Sequence, residues 1–148
     1  QKILDMSRKY QIEKDFETWV NLHNPFFEVI EYMDELKKRE IKTGIITTKG
    51  KIFTEKILKK LKIFPEFVFG YESGTKIKIV EKLTQTYEII GFMEDRKKTL
   101  IDIKKNSTTS KIPCFLADWG YLKESDKYNL NNGIKLLKLD NLKQLLAI

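Results

Sequence analysis

The chain has little of what most often announces chemistry. It holds one cysteine, Cys114, and one histidine, His23. A lone cysteine excludes an intrachain disulfide, and the two residues together cannot build a zinc site. The CFLA setting of Cys114 reads as a buried strand thiol in a reducing, cytoplasmic compartment. Proline is scarce too, at three of 148 residues, beside 41% hydrophobic and 11% aromatic side chains. That balance excludes a disordered tail or a low-complexity linker and fits one folded domain. No apolar run approaches the length of a membrane span, and the start lacks the apolar stretch of a signal peptide. Neither G-x-G-x-x-G nor G-x-S-x-G occurs, which argues against the commonest dinucleotide-binding and hydrolase signatures.

Arginine is limited to Arg8, Arg39 and Arg96, so the net charge of +7 is carried by lysine. Residues 1–40 hold seven basic and nine acidic side chains, and the basic excess belongs to residues 41–148. Such a surface attracts anions, phosphorylated small molecules among them. Nucleic-acid recognition favours the planar guanidinium, and Lys59, Lys60 and Lys62 fall on the polar face of a helix, so solvated lysine is the better reading.

What is present is alternation. Residues 3–22 have helical spacing on two short faces. Asn24-Pro25 predicts a cap and first helical position, followed by a stripe of Phe26, Val29, Ile30, Met33 and Leu36. Next come a strand at Thr43–Thr47, a helix at Lys51–Lys62 and a strand at Phe67–Gly70. A helix over 76–87, a strand at Ile89–Met93 and a helix over 97–105 follow. Strands at Pro113–Ala117 and Ile134–Leu139 and a terminal helix at Asn141–Leu146 complete the series. Strands alternating with helices of this length predict an α/β fold: a doubly wound, Rossmann-like, mainly parallel sheet with flanking helices.

In such sheets ligands bind beyond the carboxyl ends of the strands. Thr47, Thr48 and Lys49 follow the first strand, Glu94 and Asp95 the third, and Asp118 the fourth. Hydroxyls, a lysine and paired acids on one rim suit phosphate and a divalent cation. GIITTKGKI is not a phosphate loop, because five residues separate Gly44 from Gly50 and Ile52 stands where a hydroxyl would meet magnesium.

In order, the strand-end residues resemble three of the four motifs of the haloacid dehalogenase (HAD) superfamily, over roughly residues 24–120. GIIT, ending at Thr47, resembles the second motif, whose hydroxyl hydrogen-bonds a phosphoryl oxygen. Lys76, opening the helix TKIKIVEKL, resembles the third; Lys78 competes for that role, and the apolar register of Ile79, Val80 and Leu83 favours Lys76. IIGFM followed by Glu94-Asp95 resembles the fourth, whose acids hold Mg²⁺. FLADWGY at 115–121 resembles a phrase from one HAD-like branch. Glu94 replaces the glycine of the commoner fourth motif, Thr99 stands at its later acid position, and Thr48 replaces the asparagine that often follows the second-motif hydroxyl.

The first motif, D-x-D, is absent, since no aspartate of this chain has another two residues on. Asp118 ends a strand, but Gly120 stands where the general acid belongs, so a cap or a pocket wall is its better reading. The resemblance implies residues 1–23 as the end of a helical cap, and 24–148 as an α/β core lacking its first strand. Upstream residues or a partner would then complete the sheet. It further implies a Mg²⁺-dependent phosphatase of a small phosphomonoester, with Thr47 and Lys76 catalytic, Thr48 and Lys49 substrate-binding, and Glu94 and Asp95 on the metal. The alternative is a catalytically inactive HAD-derived protein that binds a ligand or partner.

Overall fold

The structure is a computed structural model that describes residues 2–130 and 133–147. The chain divides into two compact units, Gln1–Gly74 and Thr75–Ile148.

In the first unit, α1 (Lys2–Lys14) and α2 (Phe16–Asn21) break at Asp15, whose carboxylate caps α2 by accepting the Thr18 N–H at 3.0 Å. Helix α3 (Phe27–Lys38) starts two residues after the proline, with Phe26 at the cap position and no side-chain cap bond. The expected Asn24-Pro25 cap is therefore displaced, and Phe26 is exposed while the buried residue of α3 is Tyr32, which lies outside the expected stripe. Strand β1 (Gly44–Ile46) pairs in parallel with β2 (Phe67–Phe69), joined by α4 (Lys51–Lys60). Flanking bonds from Glu66 N–H to Thr43 O and from Thr47 N–H to Phe69 O extend this ladder by one residue at each end. The core gathers Ile12, Trp19, Val20 and Ile57, with Phe16, Phe53 and Leu61 packed against them.

In the second unit, α5 (Lys76–Leu83), β3 (Phe92–Glu94), α6 (Lys97–Lys105), β4 (Cys114–Ala117) and β5 (Ile134–Leu137) form a parallel three-stranded sheet ordered β3-β4-β5. All four residues of β4 are buried, as parallel strands covered on both faces are. Leu100 and Ile103 of α6, at a spacing that a 3.6-residue turn stacks together, and Ile79 and Val80 of α5 supply the apolar faces of their helices.

Three expected elements shift. Helix α5 ends at Leu83, where the Thr84 hydroxyl donates to Glu81 O and the chain turns. Strand β3 begins at Phe92 rather than Ile89. Phe92 stands opposite Cys114, so one step earlier Gly91 would face Pro113, which has no N–H to give. The terminal helix is a 3-10 helix, Leu139–Ala147. The α/β class with parallel strands stands.

Candidate functional site

The first unit's strand end is held by short-range bonds. Thr47 leaves β1 with its N–H on Phe69 O at 2.9 Å, and its hydroxyl oxygen accepts the Lys49 N–H at 3.1 Å. A hydroxyl that accepts there keeps its own proton for an oxygen in front of the strand. Thr48 is exposed, and Lys49 is half-buried. Burial pushes the Lys49 ammonium below its usual value, and the positive charge of Arg8 pushes the same way. Lys49 O accepts the Tyr71 N–H, and Gly50 leads into α4, where Glu72 caps the Lys51 N–H at 2.8 Å. A cleft of 410 Å³ in this unit, lined by Val20, His23, Phe27, Ile30 and Leu61 among others, includes none of the strand-end residues.

The second unit's strand end is held by long-range bonds. Thr75 caps α5 by accepting the Lys78 N–H, which sets Lys76 in the first turn and leaves Lys78 exposed. The Lys76 ammonium donates to Glu94 Oε2 in an ion pair whose side chains are 20% and 4% exposed. Glu94 is the last residue of β3 and also accepts the Arg96 N–H on Oε1 at 3.2 Å. Burial pushes the Glu94 carboxyl above its usual value, Lys76 opposes that, and a hydrogen bond with the Asp95 carboxyl adds to it. Asp95 Oδ2 accepts the Tyr121 N–H at 2.8 Å. Lys76, Glu94 and Asp95 thus come together, while Thr47, Thr48 and Lys49 form a separate group within their own unit.

A family model for the haloacid dehalogenase-like hydrolases matches residues 1–89. This is more than half of the chain. The chain belongs to the haloacid dehalogenase-like hydrolases. The matched span includes Thr47 and Lys76 of this HAD-like hydrolase and stops short of Glu94 and Asp95. No curated protein and no solved structure matches the chain.

Among the described residues no group of three or more His, Cys, Asp or Glu side chains gathers as a metal site. Glu94 and Asp95 are a pair of such side chains. Two carboxyls within hydrogen-bonding reach of each other are hard oxygen donors whose mutual repulsion a divalent cation relieves, and Mg²⁺ commonly takes only one or two carboxylates beside substrate oxygens and water.

Sequence reasoning missed the contacts around the acids. Gly120 lies so close to Asp95 that a Cβ on it would fall 2.7 Å from Oδ2 and 2.9 Å from Cγ. A glycine after a buried strand hints at a close approach, but nothing in the order of residues tells which side chain approaches. The Thr75 cap was legible as a threonine before an apolar helix.

Proposed function

We propose that this HAD-like hydrolase is a Mg²⁺-dependent phosphatase acting on a small phosphomonoester. The observation that carries the reading is the Lys76–Glu94 pair with Asp95 beside it at the carboxyl end of β3. A lysine and two carboxyls in contact at a strand end suit a cation and a phosphoryl group together. Glu94 and Asp95 would hold Mg²⁺, which supplies charge neutralisation at the phosphoryl oxygens when bound. Thr47 would hydrogen-bond a phosphoryl oxygen with the proton its hydroxyl retains, Thr48 and Lys49 would bind substrate, and Lys76 would offset negative charge. Residues 24–148 are the α/β core in this reading and 1–23 the end of a cap. The free, buried Cys114 suits a cytoplasmic setting.

These 148 residues hold no D-x-D, so in this reading the attacking aspartate would come from upstream residues or a partner. Its carboxylate oxygen would bond to phosphorus as the substrate's P–O ester bond breaks, the leaving oxygen taking a proton from the second aspartate of that motif, and water would then hydrolyse the aspartyl-phosphate to give phosphate and restore the carboxylate. Among the described residues β1 has one strand neighbour, β2, and β3 has one, β4, so each leaves an edge on which a further strand could pair. The missing nucleophile also favours a second reading, a non-catalytic HAD-derived binding protein.

An assay of the intact protein with an aryl phosphate and Mg²⁺ separates the two. Turnover that Asp95→Ala abolishes supports the phosphatase. Absent turnover from a protein with an upstream D-x-D sinks it, and Mg²⁺ binding without turnover then leaves the binding protein.

A further inference from the structure

The FLADWGY phrase is the one motif that the proposed reaction leaves without a task. We infer that its Gly120–Tyr121 turn is a positioning device for Asp95, an inference that rests on Asp95 serving as a cation ligand. The turn is built on β4, the fully buried middle strand of its sheet, and is tied down by the Asp118 N–H on Leu137 O at 3.0 Å and the Gly120 N–H on Ala117 O at 3.4 Å. A support this rigid can hold a side chain to the tolerance a metal ligand needs.

Two contacts transmit the support. The Tyr121 N–H fixes one oxygen of the Asp95 carboxylate from the backbone, where no rotamer change can move the donor. Gly120 packs against the same side chain so closely that any Cβ would displace it. The Tyr121 ring takes no share, because the residue is 96% exposed. The device therefore has a distinctive substitution pattern. Position 120 accepts only glycine, and position 121 accepts any residue that keeps an N–H.

The test uses the intact protein with Mn²⁺ as the probe, binding read by electron paramagnetic resonance, and the Tyr121 amide followed by hydrogen exchange. Gly120→Ala and Tyr121→Pro should weaken Mn²⁺ binding about tenfold or more, the usual cost of losing a group that orients a metal ligand. Tyr121→Ala should bind as the parent does. Asp95→Ala should lower protection of the Tyr121 amide about tenfold. Unchanged Mn²⁺ affinity in folded Gly120→Ala overturns the inference, as does equal loss in Tyr121→Ala. If Tyr121→Pro does not fold, Gly120→Ala and the amide decide. If the parent chain binds no Mn²⁺, the cation reading fails and this role falls with it; a Tyr121 amide that still loses protection in Asp95→Ala then shows that the contact holds and that the cation reading was at fault.

Discussion

The two units reach their strand ends by different means. Around Thr47 the bonds run between near neighbours or across one strand pair, and β1 and β2 are three residues each. Around Glu94 they join α5, β3 and the turn after β4 across 18 and 26 residues of sequence. Burial follows the same division: among the largest fully buried side chains only Val20 lies in the first unit, while Leu100, Ile103, Leu116, Leu142 and Val80 lie in the second. A middle strand covered on both faces supplies a floor that a two-stranded sheet cannot. The acids are thereby set on the stiffer unit, and the hydroxyls and Lys49 on the one better able to adapt.

The contrast can be broken by core truncation, where the largest effects are expected. Leu100→Ala removes a side chain with 0% exposure and should cost about 3–5 kcal/mol in urea unfolding. Ile57→Ala, at 8% exposure beside half-buried Phe53 and Leu61, should cost about 2 kcal/mol, because its surroundings can close over the gap. Equal costs, or β1 amides as protected from exchange as those of β4, would contradict the difference in rigidity.

Next in size is the buried ion pair. Lys76→Met strands Glu94 in a site 4% exposed and should cost about 3 kcal/mol near neutral pH. The sign with pH follows from the raised Glu94 carboxyl. The folded state favours the protonated form, so its contribution is fully present below the ordinary carboxylate value and is lost as pH rises through the raised one. Removing Lys76 raises that folded value further and widens the window upward. The deficit of Lys76→Met should therefore be largest above neutrality and shrink on acidification, and adding Glu94→Gln should flatten it. A deficit independent of pH would mean that Lys76 acts through packing alone.

How far such contacts could be foreseen depends on the distance over which they act. That Lys76 lies inward and Lys78 outward was legible, because Ile79 and Val80 fix which side of α5 faces inward and Lys78 falls on the other. The parallel α/β class was legible for the same local reason. The start of β3 was not: it depends on Pro113 standing opposite Gly91, a matter of register between segments some twenty residues apart. The α3 cap was misplaced because Asn-Pro marks the approach to a helix as readily as its first turn. Glu94 and Asp95 could be named as a pair from their place after an apolar run. That Gly120 and the Tyr121 N–H hold one of them could not, since periodicity carries no information on which loop returns to which strand end.

The smallest effect sharpens the contrast from the other side. In the first unit Lys60 of α4 pairs with Glu17 of α2, much as Lys76 pairs with Glu94, but the two side chains are 41% and 61% exposed. Water screens both charges, and holding two long side chains together costs entropy, so such a pair contributes about 0–1 kcal/mol. Glu17→Gln should therefore change stability by less than about 1 kcal/mol, and raising the salt concentration should remove most of what remains, since charges in contact with solvent are screened. The cost of Lys76→Met should persist through the same salt series, because the Lys76–Glu94 pair is largely shielded from mobile ions. Parallel unfolding curves for the two variants at low and high salt measure both. If Glu17→Gln costs as much as Lys76→Met, burial is not what distinguishes the acid end of this hydrolase, and the difference in rigidity between the units loses its electrostatic half.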